Sequence, residues 1–89
     1  MENKVLVKLI LPELDDNFDV FIPVNEIIWK IKKLLIKAIS DVTGFLLDNE
    51  LEYVILNKDN GKVYDNNEIV VNTDIRNGTE LLFFGIKES

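Results

Sequence analysis

The chain has 89 residues, 47% hydrophobic and 29% charged, with sixteen acids against ten bases and a formal net charge of −6. That length supports one core rather than two, and the composition is that of a folded chain. Cysteine and histidine are both absent, which removes disulfides, thiolate metal sites, cysteine nucleophiles and the usual general base at neutral pH.

The first segment, Lys4 to Leu11, alternates. Val5, Val7, Leu9 and Leu11 share one face, and Leu6, Lys8 and Ile10 share the other, so the spacing predicts a strand with one apolar and one mixed side. The apolar run is short and lacks a small-residue cleavage site, so it does not read as a signal peptide. Pro12 ends the strand, because proline has no N–H for a ladder. A polar connection over Glu13 to Asn17 leads into Phe18-Asp19-Val20-Phe21-Ile22, where Phe18, Val20 and Ile22 share a face. Two alternating runs joined by a short loop predict a hairpin.

A helix is expected next. Asn25 has the chemistry of an N-cap and Glu26 suits the first turn. Val24 and Trp29 then take the positions of a hydrophobic staple. Ile27, Ile28, Ile31, Leu34, Leu35, Ala38 and Ile39 recur at helical spacing, Val42 extends that side, and Gly44 is a natural stop. Beyond it, Tyr53 to Leu56 reads as a strand. Asp59-Asn60-Gly61 lies at a hairpin turn, and Lys62-Val63-Tyr64 reads as the returning strand. Glu68 to Ile75 is a connection, Asn77-Gly78 a turn, and Leu81 to Phe84 the last strand.

The order is ββαβββ, an α+β class in which one helix needs a sheet face to cover its apolar side. It resembles the ubiquitin-like β-grasp fold, with a mixed sheet of about five strands packed on one helix and the first and last strands parallel. A two-layer α+β sandwich of different strand order is the alternative. The details add to the resemblance: Phe18 to Pro23 before the helix, Asp65-Asn66-Asn67-Glu68-Ile69 after the hairpin, and Ile75-Arg76-Asn77-Gly78-Thr79-Glu80-Leu81 entering the last strand. Together they resemble the YukD/EsaB family of small bacterial ubiquitin-like proteins, which accompanies type VII secretion in Gram-positive bacteria. That family commonly has an acid where Thr79 stands; here the acid comes one position later. The resemblance implies a cytoplasmic, non-catalytic adaptor that binds a membrane-bound type VII secretion subunit, and it implies no cofactor.

The alternative function within this fold is a modifier or sulfur carrier working with an adenylating enzyme. Such proteins end in Gly-Gly, whereas this sequence reads Phe84-Gly85-Ile86-Lys87-Glu88-Ser89. Gly85 is expected to serve the last strand instead. No nucleophile–base pair or phosphate-binding glycine motif is present, so enzymatic activity is not expected. The acids Glu13, Asp15, Asp16 and Asp19 lack the spacing of a calcium loop and read as a solvated turn.

Two surfaces stand out as protein contacts. Residues 25–40 carry four lysines and one acid, a local +3 that leaves −9 on the rest. With Ile31 and Ala38 toward the sheet, Trp29 and Ile36 fall on an outward line rimmed by Lys30, Lys32, Lys33 and Lys37, a combination suited to an acidic partner. In ubiquitin-like domains the sheet face away from the helix is a common partner site, and Leu6, Lys8 and Ile10 would lie on it. Acidity argues against nucleic acid. No apolar run approaches the ~18 residues of a membrane span, so direct insertion is not expected. Partner identity and oligomeric state are left open.

Overall fold

The structure, a computed structural model, describes residues 3–44, 47–48 and 50–87. The elements are β1 (Lys4–Leu11), a 3-10 turn (Pro12–Leu14), β2 (Asp16–Pro23), α1 (Ile28–Thr43), β3 (Glu52–Asn57), a second 3-10 turn (Val70–Asn72) and β4 (Glu80–Ile86). The strands form one sheet in the order β2-β1-β4-β3. β1 runs antiparallel to β2 and parallel to β4, and β3 runs antiparallel to β4. The sheet is mixed, as expected, with four strands in place of five.

The missing strand has a clear cause. Asn57 and Lys62 close the turn, with the Asn57 N–H donating to the Lys62 carbonyl at 2.8 Å, and Gly61 supplies the positive φ of 73°. Pairing then stops after the single bridge between Leu56 and Val63. Tyr64 is drawn into the core, and the chain turns toward the helix. There the Ile28 N–H donates to the Glu68 carbonyl at 2.8 Å and the Trp29 N–H to the Asn66 carbonyl at 3.2 Å.

Those two bonds correct the expected helix start. The residue before the helix is Ile27, not Asn25, and no side chain caps it. The backbone carbonyls of Asn66 and Glu68 satisfy donors that an N-cap side chain would otherwise take. The shift also removes the Val24–Trp29 staple spacing. At the other end Gly44 adopts φ 71° and donates its N–H to the Ser40 carbonyl at 2.9 Å, a left-handed stop that favours glycine.

The core lies between α1 and the inward side of the sheet. Val7, Leu9 and Leu11 of β1 meet Ile28, Ile31, Leu35 and Ile39 of α1, with Ile55, Leu81 and Phe83 completing the layer. Phe83 is therefore the inward phenylalanine, its ring stacked on Tyr53 with centroids 5.2 Å apart. Buried polar groups are matched. Asn57 Nδ2 donates to the Tyr64 hydroxyl at 3.3 Å, and Thr73 Oγ1 donates to the Val70 carbonyl at 2.6 Å while accepting from the Ile75 N–H at 3.2 Å.

Part of the expected helix core is outside. Leu34 is 50% exposed, Val42 is 70% exposed, and Ala38 is also exposed. β2 is one of the sheet's two edge strands, and no further strand lies beyond it to cover this flank of the helix. Ile36, expected to face outward, is instead half-buried against the core.

Candidate functional site

The strand registers assemble an outer sheet face from alternate residues. Leu6 stands opposite Phe21, and Lys8 stands between Asp19 of β2 and Glu80 of β4. Ile10 lies beside Leu82, Leu82 opposite Leu56, and Phe84 opposite Val54. Each of these positions alternates with a core residue, so the pleat itself turns them outward. Phe21 is 67% exposed and Leu6 is 37% exposed, whereas Ile10, Leu82, Phe84, Val54 and Leu56 are half-buried. Asp19, Lys8 and Glu80 lie in register across three strands. The Lys58 Nζ then sits 3.6 Å from Glu80 just past β3. Cross-strand neighbours of opposite sign favour this register.

The loop before β4 anchors that face. The Leu6 N–H donates to Asn77 Oδ1 at 2.8 Å, and the Gly78 N–H donates to the Leu6 carbonyl at 2.8 Å. Thr79 Oγ1 accepts from the Arg76 N–H at 2.8 Å. A carboxylate oxygen at this position could accept the same bond.

The helix presents a separate face on the opposite side of the sheet. Trp29 is 39% exposed, with the Lys33 ammonium 4.9 Å and the Lys30 ammonium 5.8 Å from its ring centroid. Cation–π attraction of this kind holds both amines near the ring. Lys30 also lies 4.0 Å from Glu26. Leu34 lies among Lys30, Lys33 and Lys37 in a shallow depression. Lys32 departs from this ridge, because its ammonium donates to Asn66 Oδ1 at 2.6 Å. Burial pulls the Lys32 pKa below the ordinary lysine value, against the opposing pull of Glu52 and Asp65.

The structure thus brings Leu6, Lys8 and Ile10 together with Phe21, Leu82 and Phe84, and it gathers Trp29, Lys30, Lys33 and Lys37 elsewhere. Ile36 belongs to neither surface. Leu34 and Phe21 were missed, Leu34 because its spacing matches the core stripe and Phe21 because its neighbours on the strand carried the inward pattern.

Gly85 has a structural position inside β4, opposite Tyr53. A Cβ there would lie 2.6 Å from Leu51 Cδ1 and 2.9 Å from Leu51 Cβ. Its N–H donates to Glu13 Oε1 at 2.6 Å, which ties the first turn to the last strand. The other acids of that turn also have local tasks: Asp16 Oδ1 accepts from the Asn17 N–H at 2.8 Å, and Asp15 occupies φ 49°. Among the described residues no three acidic side chains converge on one point as a metal site would require, and no helix is long and apolar enough to cross a membrane.

No family model and no curated protein matches the sequence. Solved structures do match. The ubiquitin-like domain of EccD5 from Mycobacterium xenopi superposes with a TM-score of 0.71 at 12% identity, covering 98% of this chain and 99% of that one. A chain of the MycP5-free ESX-5 inner membrane complex gives a TM-score of 0.69 at 14% identity over 97% of this chain, which spans only 22% of that longer chain. The N-terminal ubiquitin-like domain of the 4931431F19Rik protein gives 0.68 at 19% identity, covering 100% of this chain and 81% of that one. Identities this low establish architecture alone. With its helix held on a four-stranded mixed sheet and its first and last strands parallel, the chain has the ubiquitin-like β-grasp fold.

Proposed function

We propose that the chain is a non-catalytic ubiquitin-like adaptor of a type VII secretion machine, acting in the cytoplasm by non-covalent docking on a membrane-bound subunit. The observation that carries this reading is the outer sheet face, where the register sets Leu6 and Phe21 side by side and groups Ile10, Leu82, Phe84, Val54 and Leu56. Grouped apolar side chains on a rigid sheet suit protein recognition. The basic helix face lies on the opposite side, so two partners can be engaged together. Likeness in fold to EccD5 and to a chain of the ESX-5 inner membrane complex supports the choice of machine. Similarity to YukD/EsaB in the 75–81 segment points the same way. Gly85, held within β4, argues against the modifier or sulfur-carrier reading.

The test is cross-linked capture from the source organism's membranes with tagged wild type and Leu6→Asp. Type VII membrane subunits should be recovered with wild type and lost with the variant, while both proteins melt alike. Recovery of an adenylating enzyme, or of adducts that survive denaturation without cross-linker, would overturn the proposal.

A further inference from the structure

A row of alternating charge crosses the outer sheet face. Asp19 of β2 stands opposite Lys8 of β1, and Lys8 lies beside Glu80 of β4. Lys58 continues the row, its N–H donating to the Glu80 carbonyl at 3.0 Å. The signs run minus, plus, minus, plus over four neighbouring chain segments. Only the last pair is closed, with Lys58 Nζ 3.6 Å from Glu80. Among the described residues no ion pair holds Lys8 or Asp19, and both are exposed. Apolar side chains flank the row, Leu6 and Phe21 on one side and Ile10 and Leu82 on the other, each two residues along its strand.

The spacing of the row fits a helix. Neighbouring strands lie about 4.8 Å apart, so the four charges fall at about 0, 4.8, 9.6 and 14.4 Å. On an α-helix, residues i+3, i+7 and i+10 lie about 4.5, 10.5 and 15 Å beyond residue i, within about 1 Å of those positions. The same four residues fall within about 80° of arc, so one stripe of a helix laid across the strands meets all four charges. An extended chain advances about 6.8 Å between same-face residues, and by the fourth charge it is about 6 Å out of step. The helix's radius of about 5–6 Å lets the side chains beside that stripe reach the apolar flanks.

The row carries no net charge, so it sets register and identity instead of attracting one sign. A uniformly acidic or basic helix would meet two repulsions for every two attractions. This chain's own helix is such a case, because Lys30, Lys33 and Lys37 occupy i, i+3 and i+7 with a single sign. A second copy docked through α1 would therefore set Lys33 over Lys8. We infer that the row is the specificity element of the outer face and selects a partner α-helix lying across the strands, with basic residues over Asp19 and Glu80, acidic residues over Lys8 and Lys58, and apolar residues on both sides of that stripe. The inference rests on the outer face being the recognition surface proposed above, and it adds the partner's secondary structure and charge order.

The probes are fluorescent helical peptides, locked by a lactam bridge on the outward side, with leucine at i+4, i+6 and i+11. One carries Lys, Glu, Lys, Glu at i, i+3, i+7 and i+10, and the other carries the same residues in the order Lys, Lys, Glu, Glu. Anisotropy should show the alternating peptide binding about tenfold tighter than the blocked one. Lys8→Glu should weaken the alternating peptide by a similar factor, and lysine at i+3 of the peptide should restore binding to that variant. The rescue is read on one folded protein, so a lowered melting temperature does not mask it. Amide shifts on titration should concentrate at Leu6, Phe21, Leu82 and Phe84. Equal affinity for the two charge orders with those shifts, or no rescue of Lys8→Glu, would overturn the inference and leave the face standing as a recognition surface. Tighter binding of an extended valine–threonine peptide with the same alternating charges would overturn the helical occupant. No binding of any peptide at about 1 mM would overturn both the inference and the reading it rests on.

Discussion

Gly85→Ala isolates the structural role of the glycine most relevant to function. The added methyl would meet Leu51 Cδ1 at 2.6 Å, Leu51 Cβ at 2.9 Å and Tyr53 Cε1 at 3.1 Å. Leucine can rotate its Cδ1 away, but Cβ moves only with its backbone. The Tyr53 ring cannot easily yield either, because its hydroxyl donates to the Asp48 carbonyl at 3.0 Å and its face stacks on Phe83. Overpacking of this kind costs about 1–3 kcal/mol. For a domain of this size each kcal/mol lowers the melting temperature by about 4–8 °C. Thermal and urea unfolding followed by circular dichroism would measure the loss. Leu51→Ala removes Cδ1 and leaves Cβ, so in the double variant the cost of Gly85→Ala should fall by about half, a positive coupling within the usual ~0.5–3 kcal/mol. A Gly85→Ala protein within about 0.5 kcal/mol of wild type would refute this reasoning, since surface changes without steric consequence fall in that range. Partner capture well below the melting point should survive the substitution, because the residue forms no bond with a partner.

Trp29→Ala and Ile36→Ala should separate the two residues that share a helical line: Ile36→Ala destabilises by about 1–3 kcal/mol in urea unfolding, and Trp29→Ala by less than about 1 kcal/mol. Ile31→Ala, deep in the core, should cost about 2–5 kcal/mol by the same measurement. Tyr64 donates its hydroxyl hydrogen to Asp74, which also accepts from Asn60 Nδ2 at 2.9 Å. Burial, reinforced by that bond, pushes the Tyr64 pKa up to about 12, and the bond from Tyr64 holds Asp74 below the ordinary carboxylate value. The raised group stabilises fully below its unfolded pKa of about 10, and the contribution is lost as pH rises toward 12; the lowered group stabilises above about pH 4 and loses its contribution as pH falls further. Tyr64→Phe should flatten both limbs of the stability–pH profile, and a profile unchanged at high pH would count against the assignment.

The sheet was legible where one side faces the core and the other faces water. β1 shows this plainly, as Val7, Leu9 and Leu11 alternate with Leu6, Lys8 and Ile10. The turn at Gly61 and the helix stop at Gly44 were legible because both residues adopt positive φ. The start of the helix was not, since its donors are satisfied by carbonyls of residues 66 and 68, some forty positions further along the chain. Local pattern could equally not show that Lys62 to Tyr64 form one bridge, because the position of Tyr64 is decided by the core and by Asp74. The surfaces were half-legible for a related reason. Helical spacing marks Leu34, Ala38 and Val42 as apolar-side residues, but only the sheet order reveals that an edge strand leaves them uncovered.

The basic helix face has a smaller effective charge than residue counting implies. Lys32 is turned to Asn66, and Lys30 lies near Glu26. Lys33 and Lys37 therefore carry most of the field that an approaching partner meets. Screening at physiological ionic strength acts over about 8 Å, so exposed lysines act mainly on encounter and weakly on the docked state. Surface plasmon resonance with a captured partner that docks on the helix face should show an association rate that falls as salt is raised, with the dissociation rate nearly constant. Lys33→Glu/Lys37→Glu should slow association and reduce its salt slope, while leaving thermal stability within about 0.5 kcal/mol. An unchanged slope would remove the helix ridge from the encounter surface. A faster dissociation rate in the double variant would instead place these lysines inside a desolvated contact, where each amine faces a carboxylate that is left unpaired by its loss.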